Sequence, residues 1–397
     1  MKAVLVLGGG VWNLRAIECV RAAGYRAVVA DRDASAPGLA LADDGHAADI
    51  ADAAAVVEIA RRAAVDAVLP LSDAGVPTAA AVAGALALKG LTPLTARLAI
   101  DKGLMRERWE RDGLPQPPFR VAATREQAAR AAAELEPPLV VKPADSGGGG
   151  RGVSVVREPG ELDWAWDFAR PFARNGRVMV ERFLEGVELT VEAIAHDGAV
   201  HVLAVSDKVK PPLRTRVATS LNYPADLAPD VLERVEAIAR AAVTSLGITD
   251  GPAHAELIVG QDGPMLVELG ARGGGGHVFS TVIEAVSGVD AVRESARVLA
   301  GDEPDLRVRQ RGGCVYRLLS PVNGVVRAIH GLEAARELPG VLAVGVTRKP
   351  GDVLGDLVDS LQRSGFAVVA GSDRAEAIRR ADEVERTVVF DLEPVHA

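Results

Sequence analysis

The sequence predicts a chain of mixed α/β and α+β architecture, divided into roughly two or three domains at its length of 397 residues. Three observations support this prediction. A strand, a glycine turn, a helix and a second strand follow one another at the N-terminus. A glycine-rich loop joins two short apolar strands within residues 139–156. Paired strands then alternate with helices up to the C-terminus.

The composition is typical of a soluble protein with sizeable cores. Hydrophobic residues make up 48% of the chain and aromatic residues only 4%, so Ala, Val and Leu must fill those cores. The net charge of −9 argues against nucleic acid or an anionic membrane as the main partner. Cys19 and Cys314 lie far apart, which indicates a reducing compartment without a disulfide framework. We find no cleavable targeting pattern and no uncharged apolar run of about 18 residues, so we expect a cytoplasmic protein.

The first 94 residues follow a Rossmann-like order. The turn after the first strand, Gly8, Gly9 and Gly10 followed by VWN, lacks the third glycine of GxGxxG, which argues against NAD binding. Asp31 ends the second strand, and Ser72 and Asp73 follow a later one. Ligands bind beyond the carboxyl ends of strands in such sheets, so part of a substrate pocket is expected here. The alternative is that these residues form turns and cap helices. Strands are predicted at 2–7, 25–30 and 66–71, and helices at 13–24, 53–63 and 75–87.

The middle of the chain is organised around a glycine-rich loop. An apolar strand runs into Lys142, and a loop with Ser146, Gly147, Gly148, Gly149, Gly150 and Arg151 leads into a second strand at 153–156. Glycines let backbone N–H groups close on a bulky anion, and Lys142 adds a cation, so we expect a phosphate-gripping flap. The alternative is a surface hairpin without a ligand. A P-loop is excluded because no GxxxxGK[ST] run exists.

Two further hairpins and several helices follow. The hairpins are predicted at 188–195 with 200–206, turning at Asp197 and Gly198, and at 254–259 with 264–269. Residues 302–311 are polar and mark a boundary. Further helices are predicted at 101–112, 124–135, 161–173, 228–246, 278–286, 291–301 and 374–381, and further strands at 178–181, 314–319, 343–347, 367–370 and 387–390.

Four separated motifs in one order resemble the ATP-grasp superfamily. They are Asp101 and Lys102 before MRERWERDGLPQP, then VVKPADSGGGGRGV, then VERFLEGVELTVE, and finally HAELIV with PMLVELGAR. The resemblance implies that two α+β lobes clamp ATP, after a Rossmann-like leading domain and before a smaller α+β domain. We therefore expect a pre-ATP-grasp domain at 1–94, an ATP-grasp domain at 95–305 with a flexible lid lobe at about 113–186, and a C-terminal domain at 306–397.

The resemblance also implies a role for individual residues. Lys102 and Lys142 would touch the ATP phosphates, and the loop at 146–152 would close over them. Glu181, Arg182, Phe183 and Leu184 would form the adenine edge, with backbone groups of Arg182 and Leu184 contacting the base, and Glu188 would accept the ribose hydroxyls. Glu256 and Glu268 would bind Mg²⁺, with Mn²⁺ as a substitute.

Physical chemistry agrees with these assignments. A triphosphate needs cations and metal if it is to be buried, and two carboxylates on paired strands can face one metal ion. Glu268 lies in an otherwise apolar strand, a costly place for an unpaired charge. The alternatives are an exposed helix lysine for Lys102, and solvated surface charges for Glu181, Glu188 and the Glu256–Glu268 pair.

One departure from the family pattern narrows the resemblance. The pattern Glu-x-Asn-x-Arg reads here as Glu268, Leu269, Gly270, Ala271, Arg272, so the second-metal geometry is in doubt. The sequence is similar in this respect to ATP-dependent carboxylate–amine ligases such as L-amino acid ligases. Residues 320–341 and 371–382 also resemble the closing domain shared by amino acid ligases and biotin carboxylase-like enzymes. In that resemblance Arg272 holds the substrate carboxylate or the acyl phosphate, and Gly273, Gly274 and His277 line the acceptor pocket. The alternatives are a salt bridge from Arg272 to Glu268 or Glu256, and a structural role for His277.

The expected function is therefore an ATP-dependent ligase that forms an amide through an acyl phosphate, with an amino acid among its substrates and release of ADP and phosphate. The alternatives are a carboxylase or a formate- or bicarbonate-activating enzyme with the same fold, and a non-enzymatic nucleotide-binding protein. The partners are small carboxylate and amine molecules, whose identity the sequence leaves open. Residues 208–216 are basic and form either a lid or a solvated loop. The oligomeric state is also open, with a homodimer as the commonest closed assembly.

Overall fold

We analysed a computed structural model of the chain, which describes residues 1–145, 148–211 and 217–394. Within these residues the strands form four sheets. Ser146, Gly147 and residues 212–216 of the basic segment lie outside the described residues, so the predictions made for them have no structural account.

The N-terminal segment forms a four-stranded parallel sheet in the order β3-β2-β1-β4. Its central strand is buried on both faces: Val4 and Val6 pack on one side, and Leu5 and Leu7 on the other. The elements are β1 (Ala3–Leu7), α1 (Leu14–Ala22), β2 (Arg26–Asp31), α2 (Pro37–Leu41), β3 (Asp44–Ala47), α3 (Ala53–Arg62), β4 (Ala67–Pro70), α4 (Val76–Leu86) and α5 (Pro93–Ile100).

A second four-stranded sheet, in the order β5-β8-β6-β7, carries the glycine loop. Its strands β6 and β7 pair antiparallel, so the predicted hairpin is present. Asp101 caps the N-terminus of the helix that follows it, α6, by accepting from the Leu104 amide at 3.1 Å. The elements are α6 (Lys102–Arg111), β5 (Phe119–Ala122), α7 (Arg125–Leu135), β6 (Leu139–Pro143), β7 (Ser154–Val156), α8 (Leu162–Ala169) and β8 (Val178–Arg182).

An eight-stranded sheet forms the floor of the molecule's main cavity, in the order β13-β12-β9-β10-β11-β14-β18-β16. Its first part comprises β9 (Val187–His196), β10 (Ala199–Val209), β11 (Ser220–Tyr223), α9 (Pro229–Ser245), β12 (Gly251–Gly260), β13 (Gly263–Gly270), α10 (Ile283–Ser287, after a π-helical turn at Val278–Val282) and α11 (Ala291–Leu299).

The C-terminal segment continues this sheet, because β11 pairs with the first strand after residue 306. Its elements are β14 (Gly313–Leu319), β15 (Gly324–His330), α12 (Leu332–Arg336), β16 (Val341–Val346), β17 (Val353–Leu354), β18 (Gly365–Gly371), α13 (Arg374–Thr387) and β19 (Val389–Glu393). A separate three-stranded sheet has the order β17-β15-β19. The division at 94 and 305 stays a prediction, and the large sheet extends across its second boundary.

Candidate active site

A cavity of about 780 Å³ lies between the sheet β5-β8-β6-β7, which carries the glycine flap, and the eight-stranded sheet. Its volume is within the range of small-molecule sites. Side chains of the N-terminal and C-terminal segments close its remaining walls. Of the residues predicted from the sequence, the following line it: Lys102, Lys142, Gly148, Gly149, Gly150, Glu181, Arg182, Phe183, Leu184, Glu188, Glu256, Glu268 and Arg272. The structure thus brings together most of the predicted site.

Lys142 and Glu181 form a buried ion pair below the flap. Lys142 Nζ lies 2.5 Å from Glu181 Oε1, and Arg106 Nη2 lies 2.6 Å from Glu181 Oε2. Burial lowers the pKa of Lys142 more than the Glu181 carboxylate raises it. Glu181 is only 4% exposed, so the alternative of a surface charge does not hold. One carboxylate faces two cations here, which leaves positive charge for a ligand anion.

Lys102 begins α6 and lines the cavity. Its amide donates to the Ala144 carbonyl at 2.7 Å, which ties the helix to the end of β6. Its Nζ lies 3.4 Å from Glu268 Oε2. Burial opposes the charge, but the carboxylates of Glu268 and Asp73 raise the pKa of Lys102. The side chain is 11% exposed, so Lys102 is not the exposed helix lysine of the alternative interpretation.

Glu256 and Glu268 stand directly opposite each other on β12 and β13. A register shift follows Glu256, an irregularity that can redirect a side chain. Their carboxylates are 19% and 25% exposed, into the cavity that both line. Among the described residues no group of three His, Cys, Asp or Glu side chains could hold a metal ion. Two hard carboxylates with phosphate oxygens and water are nevertheless a normal Mg²⁺ set, so the residues fit the predicted ion.

Lys208 and Lys210, two positions apart in the chain, form ion pairs with the carboxylates of Glu188 and Glu256. Lys208 Nζ lies 3.0 Å from Glu188 and 2.7 Å from Glu256, and Lys210 Nζ lies 2.5 Å from Glu188. Burial disfavours the charged form of Lys208, but Glu256 and Glu188 raise its pKa. The start of the basic segment is thus part of the cavity wall rather than a solvated loop. Both lysines pair with the Glu188 carboxylate at the cavity wall. The predicted contact of Glu188 with the ribose stays a prediction.

The predicted adenine edge, residues 181–184, begins in β8 and continues past its end. The Arg182 amide donates to the Pro118 carbonyl and the Phe183 amide to the Pro138 carbonyl, both at 3.0 Å. The Arg182 N–H is therefore engaged within the protein and is not free to contact a base. Leu184 lines the cavity next to them.

Arg272 forms an ion pair, but with neither of the glutamates expected in the alternative interpretation. Its Nε lies 2.9 Å from Asp73 Oδ1 at the end of the N-terminal sheet. Burial opposes the charge, but Asp73 raises the pKa of Arg272, and Arg272 in turn lowers the pKa of the buried Asp73. The sequence identified both residues as candidates without linking them.

The glycines after Arg272 are needed for packing. A Cβ on Gly273 would lie 2.2 Å from the Phe279 ring, and one on Gly274 would lie 2.4 Å from Glu192 Oε1. Gly275 and Gly276, rather than Gly273 and Gly274, line the cavity in the described structure.

His277 lies in an aromatic cluster formed with Trp12, Tyr316 and Phe366. Its ring stacks on Phe366 at 4.4 Å and meets Trp12 edge-on at 6.0 Å. Burial lowers the pKa of His277 to about 4. Trp12 and Tyr316 line the cavity, and His277 is absent from the lining residues that the structure describes. This placement favours the structural alternative for His277.

Sequence reasoning missed a buried polar chain behind Glu256. His254 Nδ1 contacts Glu192, and Nε2 lies 3.2 Å from Glu256 Oε1. Burial alone would lower the pKa of His254, but the Glu192 carboxylate raises it to about 9. The missed indication was spacing: Glu188, Thr190 and Glu192 alternate along β9 and therefore share one face.

The geometry agrees with the family comparisons. The ATP-grasp domain family matches residues 107–279, and L-amino acid ligase C-terminal domain 2 matches residues 317–393. The chain contains an ATP-grasp domain. The predicted superfamily and fold class are therefore confirmed, and ATP-grasp enzymes as a family use ATP and Mg²⁺.

Curated relatives match this chain over different shares of its length. The protein y4rH of Sinorhizobium fredii is 28% identical over 304 residues, which span 75% of this chain and 62% of that protein. A formate-dependent phosphoribosylglycinamide formyltransferase of Marinobacter nauticus is 28% identical over 95% of this chain and 94% of its own length. One from Nitratidesulfovibrio vulgaris is 35% identical over 50% of this chain and 51% of its own. The chain thus spans less than two thirds of several relatives it matches.

Solved structures share the fold. An L-amino acid ligase from Bacillus licheniformis has a TM-score of 0.82 at 23% identity, with 99% of each chain covered. A phosphoribosylglycinamide synthetase from Anaerococcus prevotii has a TM-score of 0.78 at 18% identity, covering 99% of this chain and all of that one. Within the described residues no helix is long and apolar enough to cross a bilayer.

Proposed function

We propose that this protein is an ATP-dependent, ADP-forming carboxylate–amine ligase with an amino acid among its substrates. The observation that carries the proposal is the convergence in one cavity of Lys102, Lys142, the opposed Glu256 and Glu268, and Arg272. The match of residues 317–393 to the L-amino acid ligase C-terminal domain supports the amino acid substrate.

The chemistry follows from the charges. A carboxylate oxygen attacks the γ-phosphorus of ATP and ADP leaves; an amine then attacks the acyl carbon, expels phosphate and loses a proton. Lys102 and Lys142 would bind and orient the phosphates, and Arg272 would hold the acyl phosphate through its planar fork. Glu256 and Glu268 would hold Mg²⁺, which supplies charge stabilisation during phosphoryl transfer. The flap would exclude water from the acyl phosphate.

A formyltransferase acting on a phosphorylated amine is the second candidate. Arg348 and Arg363 line the C-terminal wall of the cavity, and the Nε atoms of both are buried without a partner among the described residues. Such cations suit a phosphate group on the amine substrate. The relative from Marinobacter nauticus, aligned over 95% of this chain, has a name that matches this activity.

The test is phosphate release from Mg-ATP. The protein is incubated with pools of amino acids, and separately with formate and glycinamide ribonucleotide. Release that requires two amino acids supports the ligase; release with formate and the ribonucleotide overturns it in favour of the second candidate. ATP binding without release in any mixture would overturn both.

We expect Glu268→Gln to lower turnover at least about 100-fold with the fold intact, because the metal loses a charged ligand. The matched control is Glu236→Gln on the outer face of α9, where the carboxylate pairs with Arg240 at 2.7 Å. Wild-type turnover by Glu268→Gln would remove Glu268 from the metal site.

A further inference from the structure

The pair formed by Asp73 and Arg272 has a defined donor geometry. Arg272 Nε donates to Asp73 Oδ1 at 2.9 Å and Nη2 to Asp73 Oδ2 at 3.1 Å, while Nη1 donates to the Gly273 carbonyl at 3.0 Å. A guanidinium carries five N–H donors. Counted over the described residues, these contacts leave one donor on each terminal nitrogen, and Arg272 lines the cavity. Asp73 thus grips one edge of the fork and leaves the terminal edge for a ligand.

The pair fills the space beside residue 270. A Cβ built on Gly270 would lie 3.2 Å from Arg272 Cζ and 3.3 Å from Asp73 Oδ1. A longer side chain at this position, such as asparagine, would need the volume that the Asp73 carboxylate occupies. Gly270 therefore makes room for a carboxylate supplied by the N-terminal segment.

The flap packs on the same carboxylate. A Cβ on Gly148 would lie 2.7 Å from Asp73 Oδ2, and this glycine has a φ of +80°. Asp73 accordingly lies where the N-terminal sheet, the hairpin of Glu268 and the flap meet. Its neighbours leave it little freedom to move, which is the property that a residue needs if it is to fix another side chain.

We propose that Asp73 is the positioning residue for Arg272, that it takes the place of the side chain absent at position 270, and that it aims the terminal guanidinium edge at the site of the acyl phosphate. The identity of that anion rests on the proposed ligase function. A bidentate grip fixes both the plane and the direction of the fork. Misplacement of such a group by about 1 Å costs roughly 100-fold in rate.

The first test measures anion binding without the second substrate. Thermal unfolding is followed for wild type and Asp73→Ala, alone, with Mg-ADP, and with Mg-ADP plus inorganic phosphate. We expect phosphate to raise the midpoint of the wild type beyond the Mg-ADP increment, and Asp73→Ala to keep the Mg-ADP increment but lose the phosphate increment. The matched control is Asp43→Ala, which breaks an Asp–Arg pair with Arg21 in the same N-terminal segment, away from the residues that line the cavity.

The second test asks whether Asp73 and residue 270 share one space. Gly270→Asn should lower phosphate release about 10-fold or more in the presence of Asp73, and change it less than about 3-fold in the Asp73→Ala background, because there the volume is vacated. In Asp73→Ala itself we expect a fall in kcat of about 10- to 100-fold with the KM for Mg-ATP within about 3-fold.

The outcomes separate this inference from the function on which it rests. The positioning role is overturned if the losses of phosphate release multiply in the Asp73→Ala, Gly270→Asn double variant. It is also overturned if phosphate still raises the unfolding midpoint of Asp73→Ala. Either result leaves the ligase assignment in place. A phosphate increment lost specifically in Asp73→Ala, together with a wild type that turns over no amino acid pool, upholds the positioning role and defeats the ligase assignment.

Discussion

At the scale of single residues, the site holds two buried cations against one buried carboxylate. Arg106 and Lys142 share the carboxylate of Glu181, and the side chains of all three are no more than 5% exposed. Arg106 has two further nitrogens, Nε and Nη1, without partners among the described residues. Burial lowers the pKa of Arg106 as well as that of Lys142. Glu181 is thus the residue whose charge makes this burial tolerable.

We expect Glu181→Gln to lower the free energy of unfolding by about 3–5 kcal/mol, because it leaves two buried cations uncompensated. Urea unfolding at neutral pH measures the change. The control is Glu134→Gln, which removes an ion pair with Arg120 that is half-exposed and should cost less than about 1 kcal/mol. A loss below 1 kcal/mol in Glu181→Gln would mean that the buried cations find other compensation.

At the scale of elements, the glycine flap rests on the C-terminal segment. The Ser360 amide donates to the Gly149 carbonyl at 3.0 Å. Ser360 lies in a short turn, Ser360–Gln362, that Asp359 and Gln362 cap reciprocally. A Cβ on Gly149 would lie 2.7 Å from Ser360 Oγ. The flap residues that the structure describes therefore pack against a capped turn of the C-terminal segment.

Gly149→Ala should raise the KM for Mg-ATP about 10-fold above the value in Gly150→Ala. Both glycines have positive φ, +79° and +71°, so alanine costs roughly 1–2 kcal/mol of backbone strain at either. Only at position 149 does the methyl group meet Ser360; around a Cβ on Gly150 no described atom lies within 4 Å. Steady-state kinetics measures the difference.

A second substitution separates the clash from the strain. In the Gly149→Ala background, Ser360→Ala removes the hydroxyl and should bring KM down to the Gly150→Ala value. If KM does not move, the contact between flap and turn has no part in nucleotide binding.

The elements themselves were predictable where the local pattern is strong. The two long hairpins and the flap hairpin were predicted because alternating or continuous apolar runs flank glycine turns. The strands β3 and β11 were missed: their sequences, DGHA and SLNY, carry no apolar run, and they are strands because β2, β10 and β14 offer them partners. The predicted strand at 387 begins two residues later, since α13 extends to Thr387.

The same distinction applies to the site. Motifs placed Lys102, Lys142, Glu256 and Glu268 in one site, and the structure brings them to one cavity. Which carboxylate neutralises which cation depends on register and on the packing of distant segments, as with Asp73 and Arg272, 199 positions apart. A sequence motif therefore could not predict which of these side chains pair.

At the scale of the whole molecule, an aromatic cluster joins the three segments. Trp12 follows β1, His277 precedes the π-helical turn, Tyr316 lies on β14 and Phe366 on β18. The His277 ring contacts each of the other three, at centroid distances of 4.4 to 6.4 Å. Among the described residues, the His277 ring has one hydrogen-bond partner, Thr281 Oγ1, which lies 3.5 Å from Nδ1. A charge on this ring would lie among aromatic side chains with little polar compensation.

This placement makes the stability of the molecule sensitive to acid. The pKa of His277 is lowered by burial to about 4, against about 6.5 in an unfolded chain. Protonation therefore favours the unfolded state: the stabilisation is fully present above pH 6.5 and is lost as the pH falls towards 4. At 1.36 kcal/mol per pKa unit the loss reaches at most about 3 kcal/mol.

Replacing His277 with Phe keeps an aromatic ring and removes the titrating group, so the pH dependence should flatten. We expect the difference in unfolding free energy between pH 7 and pH 4.5 to be smaller in His277→Phe than in wild type by about 1–3 kcal/mol, measured by urea unfolding. Carboxylates titrate in the same range in both proteins, so the comparison isolates the ring. His330→Asn, at an exposed position on β15, should follow wild type within about 0.5 kcal/mol. Parallel curves for wild type and His277→Phe would show that the ring is protonated in the folded protein, and that the cluster joins the three segments without coupling their stability to pH.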